Sequence, residues 1–341
     1  MLKTLTDLCQ LPGVSSREDA VREYIRTRAL LCADAVKTDS MGNLLVMKRG
    51  AKQTENRLML CAHMDEVGLM VQNITEEGYL RFSPVGGIDR RVLIGKRVLV
   101  GDAQIPGLIG LKAYHLVEAG EEKKIPKLTE FYIDIGCKNR QEAEAKVSLG
   151  DVAVFDSDVM EFGDMMLKAK ALDDRIGCAV LLELMKNPLP MDCNFVFTVQ
   201  EEVGTRGAFG AAFAVTPEIA LVLEGTTAAD LPDAPDHKQV CAPGRGPVIP
   251  FMDGGTVYDR ELFELLRRLA DKENIPWQTK HFISGGTDAS AIQKTKMGVR
   301  TVAISAAVRY LHTPSSVASI RDYGQIYTLA RAFIDEIAAQ S

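Results

Sequence analysis

Several short apolar runs in this 341-residue chain end on acidic or histidine residues. Leu58-Met-Leu-Cys-Ala62 leads into His63, Met64 and Asp65. Asn194-Phe-Val-Phe-Thr-Val-Gln200 leads into Glu201-Glu202, and Ile219-Ala-Leu-Val-Leu223 into Glu224. The run from Thr301 to Val308 is followed, after Arg309-Tyr310-Leu311, by His312-Thr313-Pro314. A further acidic pair, Asp173-Asp174, precedes Arg175 to Met185, whose alanine and leucine content predicts a buried helix. Each feature alone has a bland reading: Asp caps helices, and Glu-Glu after a strand is usually a solvated turn. Together they suggest metal chemistry, because imidazole and carboxylate are donors for zinc, cobalt or manganese, whereas a structural cysteine site needs clustered thiolates. Two divalent ions carry about +4, so three carboxylates and two neutral histidines leave about +1, enough to bind hydroxide and polarise a carbonyl. One more carboxylate must carry the proton of the water. Glu201 and Glu202 are the pair that can divide ligation and proton transfer, since adjacent residues at a strand end point different ways.

The elements that must position these residues follow from the same runs. Open α/β sheets place their sites outside the carboxyl ends of the strands. With the runs as parallel neighbours, His63, Glu201, Glu202, Glu224 and His312 gather at one rim. The expected fold is therefore α/β, a mixed and largely parallel sheet flanked by helices. Ser15-Ser-Arg-Glu18 predicts a capping box opening a helix towards Leu31, and Met41-Gly-Asn43 a turn before a first strand at Leu44 to Met47. From Val67 to about Asp164 short β-like runs alternate with glycines, which predicts an inserted β-rich unit. The expected division is a discontinuous catalytic domain over 1–66 and 165–341, with the insertion over 67–164. Ala229 to Tyr258, rich in proline and glycine, is a candidate wall of the site. Glu261 to Asn274 reads as an amphipathic helix. Ser284-Gly-Gly-Thr-Asp-Ala289 is a glycine turn entering a short helix, suited to an anion or a substrate backbone. The last helix buries Ile326, Leu329, Phe333 and Ile337.

Composition removes other classes. A net charge of −6 argues against nucleic acid as partner. Seven dispersed cysteines without CxxC spacing predict reduced, mostly buried thiols and a cytoplasmic setting. Cys61, two residues before His63 on one strand face, reads as a small buried residue. Met1 to Leu11 is too polar for a secretory signal, and no stretch reaches the ~18 apolar residues of a membrane span.

The combination AHMDEVG, ALDDRIG, TVQEEVGTRGA, LEGTTAAD, SGGTDA and YLHTPSS resembles the tetrahedral (glutamyl/leucyl) aminopeptidases, a family of dinuclear metallopeptidases, over essentially the whole chain. The resemblance implies that His63, Asp173, Glu202, Glu224 and His312 ligate two divalent ions, zinc or cobalt ahead of manganese, with Asp173 bridging. It implies Glu201 as general acid/base, Asp65 as the residue orienting His63, and a cis peptide between Asp173 and Asp174. It further implies a zinc-peptidase-like architecture, hydrolysis of the N-terminal residue from short peptides, a β-rich dimerisation domain, and a homo-oligomer built from dimers, up to a tetrahedral dodecamer. Glu224 stands where the family leads one to expect Asp. Rival readings are a related acyl-amino-acid hydrolase or carboxypeptidase, a glycosidase using two carboxylates but leaving both histidines idle, and a non-catalytic assembly protein.

Overall fold

The computed structural model describes residues 1–54, 57–232 and 234–340. The chain begins with α1 (Leu2–Gln10), α2 (Asp19–Ala29), β1 (Ala35–Thr38), β2 (Leu44–Lys48) and β3 (Leu58–His63). It continues through β4 (Gly68–Ile74), β5 (Leu80–Val85), β6 (Arg97–Val100), β7 (Ile105–Gly110), β8 (Tyr132–Asp134), α3 (Arg140–Glu144) and β9 (Val152–Phe155). Next come β10 (Met160–Phe162), β11 (Met166–Ala169), α4 (Leu172–Lys186), β12 (Cys193–Thr198), α5 (Arg206–Val215) and β13 (Ile219–Thr227). The chain closes with α6 (Arg260–Lys272), α7 (Ala289–Ile292), β14 (Arg300–Val308), β15 (Ser316–Ser319) and α8 (Ile320–Ala339).

The main sheet has the order β1-β2-β12-β3-β13-β14. The neighbours β12, β3, β13 and β14 are parallel, while β1 and β2 pair antiparallel at the edge. The expected mixed, largely parallel α/β architecture is thus the one adopted. Both β3 and β12 are buried along their whole length, as strands covered on two faces must be. Alternation along β3 divides its side chains: Leu58, Leu60 and Ala62 join the core under α1, α2, α4, α6 and α8. Met59 and Cys61 meet the small residues Ala208, Ala211 and Ala212 of α5, with Ala289 and Ile292 of α7. Among the described residues no helix is long and apolar enough to cross a membrane.

Between β3 and β10 the chain closes a barrel of order β4-β5-β8-β7-β6-β9, filled by Leu69, Val71, Leu80, Val98, Ile109 and Ile133 among others. A third, antiparallel sheet of β10, β11 and β15 was not expected from sequence. Its strands are three or four residues long, and β10 is exposed throughout, so no apolar alternation marks them.

Two local expectations fail for tertiary reasons. The capping box does not form: α2 starts at Asp19 without a side-chain cap. The Ser15 hydroxyl instead donates to Asp65 Oδ2 at 2.6 Å, and Glu18 Oε1 accepts the N–H groups of Ser16 and Gln200. Likewise β13 does not stop before Glu224. It runs on through Thr227, because Glu224, Gly225 and Thr226 pair with Ser305, Ala306 and Ala307 of β14.

Candidate metal centre and active site

The carboxyl ends of β3, β12, β13 and β14 bring the chemical residues together. His63 is the last residue of β3 and lies beside Thr198 of β12. Glu201 and Glu202 follow β12, with Gln200 in the left-handed region at φ 58°. Asp173 comes from the start of α4 on the other side of the rim. Asp174 does the helix-opening work, accepting the Gly177 N–H at 2.8 Å. The Asp173–Asp174 peptide is cis. His312 arrives after β14, itself at φ 59°, a backbone conformation that concentrates at functional sites in non-glycine residues.

The two imidazoles are oriented alike. His63 Nδ1 is 3.1 Å from the Asp65 carbonyl oxygen, and His312 Nδ1 is 2.8 Å from the Gly87 carbonyl oxygen, in the segment leading out of β5. A carbonyl can only accept, so each Nδ1 carries a hydrogen and each Nε2 is turned inward, where its lone pair would be available to a cation. His63 Nε2 lies 3.3 Å from Asp173 Oδ1 and 3.7 Å from Glu224 Oε1. His312 Nε2 lies 3.1 Å from Glu202 Oε2 and 3.6 Å from Asp173 Oδ2. Asp173 therefore faces both histidines, one oxygen to each.

Donor atoms of His63, Asp173 and Glu202 lie within 4.8 Å of one another, as do those of His63, Glu201 and Glu224, and those of Asp173, Asp174 and Glu224. Among the described residues, His63 Nε2 and one oxygen each of Glu224 and Asp174 are buried without a hydrogen-bond partner, which buried polar atoms rarely tolerate. Oxygen and nitrogen donors that converge, are buried and lack protein partners fit divalent cations.

Protonation with protein groups alone shows the same need for positive charge. Burial works against a proton on His312, yet Asp173 and Glu202 push its pKa up to about 11. Burial likewise opposes a charge on His63, but Glu224, Asp173 and Asp65 drive it well above the ordinary imidazole value. Burial raises the Glu224 and Glu201 carboxyls well above the usual range, and neighbouring carboxylates add to the rise. Metal charge would reverse all of these shifts.

Asp65, expected to orient His63, has a larger set of contacts. Its Oδ1 is 3.4 Å from His63 Nδ1 and accepts the Glu201 N–H at 3.0 Å. Its Oδ2 accepts the Glu202 N–H at 3.1 Å and the Ser15 hydroxyl. One fully buried carboxylate thus fixes both the β3 rim and the acidic turn after β12. Gly225 serves the opposite rim: its N–H donates to Asp173 Oδ1 at 3.1 Å, and a Cβ there would stand 2.7 Å from that oxygen. Sequence reasoning gave no signal for the partners of Ser15, Gly225 and the Gly87 carbonyl, which are remote in the chain. Cys61 is a buried thiol, as expected, with Thr198 and Asp288 at its sulfur.

A profile of the family described as M42 glutamyl aminopeptidase matches residues 42–329. The chain is 40% identical to a putative aminopeptidase of Acetivibrio thermocellus over 324 residues, 94% of each chain. Its structure is similar to that of an aminopeptidase from the archaeon Desulfurococcus kamchatkensis, with a TM-score of 0.93, 36% identity and coverage of 98% of this chain and 94% of that one. It is also similar to the TET1 peptidase of Pyrococcus horikoshii, which can assemble into a tetrahedron or a large octahedral shell, with a TM-score of 0.87, 34% identity and 98% of each chain covered. With its rim of histidines and carboxylates and these whole-length likenesses, the chain belongs to the M42 glutamyl aminopeptidase family.

Proposed function

We propose that this protein is a dinuclear metal-dependent aminopeptidase that removes the N-terminal residue from short peptides. The observation that carries the reading is the pair of inward Nε2 atoms sharing Asp173, with unpartnered Glu224 and Asp174 oxygens beside them. His63, Asp173, Glu202, Glu224 and His312 would hold two divalent cations of the zinc, cobalt or manganese class, Asp173 serving both. Such cations, when bound, make water acidic and polarise a peptide carbonyl. Glu201 is the carboxylate left over for proton transfer. It takes a proton from the attacking water as the oxygen–carbon bond forms, and returns it to the amine nitrogen as the carbon–nitrogen bond breaks. Asp65 holds the Glu201 backbone and so acts as a positioning residue.

On this reading residues 1–66 and 165–341 form the catalytic unit and 67–164 the inserted one. The barrel side contributes the Gly87 carbonyl behind His312, and the particle is a homo-oligomer built from dimers. Light scattering tests the assembly.

Metal analysis combined with a panel of aminoacyl-p-nitroanilides, before and after chelation and after Zn, Co or Mn is restored, tests the activity. Cleavage confined to free-amine compounds, lost on chelation and regained with metal, is the expected result. Cleavage of N-acetylated compounds would favour an acyl-hydrolase, and hydrolysis of glycosides surviving chelation a glycosidase.

A further inference from the structure

The turn that carries Glu201 and Glu202 is held from outside. Its carbonyls are satisfied locally: those of Val199, Gln200 and Glu201 accept the N–H groups of Gly207, Arg206 and Thr205. Its N–H groups are not. Four in succession donate to side chains from three other segments: Val199 to Asn43 Oδ1 at 3.0 Å, Gln200 to Glu18 Oε1 at 3.2 Å, Glu201 to Asp65 Oδ1 at 3.0 Å and Glu202 to Asp65 Oδ2 at 3.1 Å. Most backbone donors pair with backbone carbonyls in ladders and helices, but β12 has ended at Thr198 and α5 has not begun. The path of this turn is therefore set by Asn43, Glu18 and Asp65, all three buried.

Glu18 differs from the other two. Asn43 immediately precedes β2 and Asp65 follows β3 by two residues, and both strands pair with β12. Glu18 belongs to the link between α1 and α2, which is fastened to the exit of β3. There the Ser15 N–H donates to the Glu66 carbonyl at 3.3 Å, and the Glu66 N–H to the Gly13 carbonyl at 2.9 Å. From this base Glu18 Oε1 accepts two N–H groups, that of Ser16 at 2.8 Å and that of Gln200. Both donors are non-glycine residues in the left-handed region, Ser16 at φ 74° and Gln200 at φ 58°. Such residues keep that conformation only where their surroundings hold them in it. One buried oxygen thus fastens two bends, and the second leads directly into Glu201.

We propose that Glu18 is a positioning residue for the reaction: by holding the Gln200 N–H it fixes the bend after β12, so that Glu201 groups with His63 and Glu224 while Glu202 faces His312. This rests on the reading of Glu201 as proton carrier. Without Glu18, Asp65 still holds the Glu201 and Glu202 amides, so metal stays bound and the loss falls on turnover. A catalytic group misplaced by about 1 Å can cost about a hundredfold. What the two amides need is an acceptor oxygen at that point, so the reach of the side chain matters more than its charge.

The test measures kcat, KM and bound metal for the metal-loaded enzyme on the aminoacyl-p-nitroanilide it cleaves best. Glu18→Ala should lose about thirtyfold in kcat, with KM within about twofold and metal content unchanged. Glu18→Asp, which keeps the charge but draws the oxygen back by a methylene, should lose about tenfold. Glu18→Gln, which keeps an acceptor oxygen at the same reach, should lose about threefold. A role through Glu201 also predicts non-additivity: in the Glu201→Gln background, Glu18→Ala should cost less than about twofold more, since no proton carrier is left to misplace. If the alanine variant does not fold, the order of the aspartate and glutamine variants and the same cycle run with Glu18→Asp decide the matter. Near-normal kcat in Glu18→Ala overturns the proposal, as does a loss that follows metal content, an aspartate variant faster than the glutamine one, or equal losses in both backgrounds. Near-normal turnover in Glu201→Gln alone removes the underlying reading and this inference with it, whereas a slow Glu201→Gln beside unimpaired Glu18 variants removes this inference only.

Discussion

Glu201 and Glu202 are adjacent, yet they meet different partners, as the proposed division into ligand and proton carrier requires. Glu202 points to His312 at 3.1 Å, while Glu201 groups with His63 and Glu224. A ligand and a proton carrier should fail differently when changed. We expect Glu201→Gln, which keeps the size and removes the basic oxygen, to retain two metals by elemental analysis and to lose about a thousandfold in kcat. His63→Ala should lose metal and activity together, because it removes the Nε2 atom that faces both Asp173 and Glu224. Near-normal turnover in the first variant would take the proton role from Glu201. Unchanged metal content in the second would take His63 out of the ligand set.

Three segments, the turn after α1, the link from β3 to β4 and the start of α4, are joined by a buried ionic cluster under the rim. Glu66 accepts from Lys170 at 2.7 and 2.9 Å, and from Arg175 at 3.3 Å. Lys170 and Arg175 also donate to the carbonyls of Leu11 and Leu8. Arg175 is fully buried and Lys170 nearly so, so Glu66 is the anion that makes their burial tolerable. We expect Glu66→Ala to cost about 3–5 kcal/mol in urea unfolding at fixed metal concentration, since it strands two cations. A cost below about 1 kcal/mol would mean that the backbone carbonyls suffice.

The legibility of these elements in the sequence follows the range of the forces that make them. The parallel strands were readable because β3 runs apolar from Leu58 to Ala62, β12 from Phe195 to Phe197 and β13 from Ile219 to Leu223, and His63 stands at the end of the first. The reading stopped β13 too soon, because apolarity ends at Leu223 while the ladder with β14 continues. Ser15 was misread as a cap because its true acceptor, Asp65, is 50 residues away. The Gly87 carbonyl behind His312 is 225 residues from it. Such contacts leave no periodicity for sequence reading to detect.

At the scale of the whole molecule, the rim draws residues from positions 63 to 312, so a metal held by the proposed ligands would link folding across the chain. The raised pKa values set the sign of the pH dependence. Burial raises the native Glu224 carboxyl well above its ordinary 4.5, so from about pH 5 upward the native state keeps a proton that the unfolded state has released. For His312, opposed by burial but raised by Asp173 and Glu202 to about 11, the native state holds a proton that the unfolded chain loses above about pH 6.5. Both groups make ν_N exceed ν_U, so the chelated protein should lose stability steadily as pH rises from 6 to about 9. Asp173, whose burial is outweighed by His312 and His63 so that its pKa is lowered, acts only at acid pH, where it contributes stability that is lost as pH falls. On the proposed ligand set metal would replace those protons, so the loaded protein should show the opposite trend, gaining affinity and Tm as pH rises over the same range. Saturating metal at about a thousand times Kd adds about 4 kcal/mol, a Tm gain of at least several degrees. Glu224→Gln separates the two effects, because it removes a buried acid and a ligand at once. In the chelated state we expect it to raise Tm at pH 8 and flatten the pH slope, and in the presence of metal to lower Tm below that of the parent. Thermal unfolding at pH 6 and 8, with metal or chelator, gives the four values. If the variant is destabilised by the same amount in all four, Glu224 is a packing residue and the metal lies elsewhere.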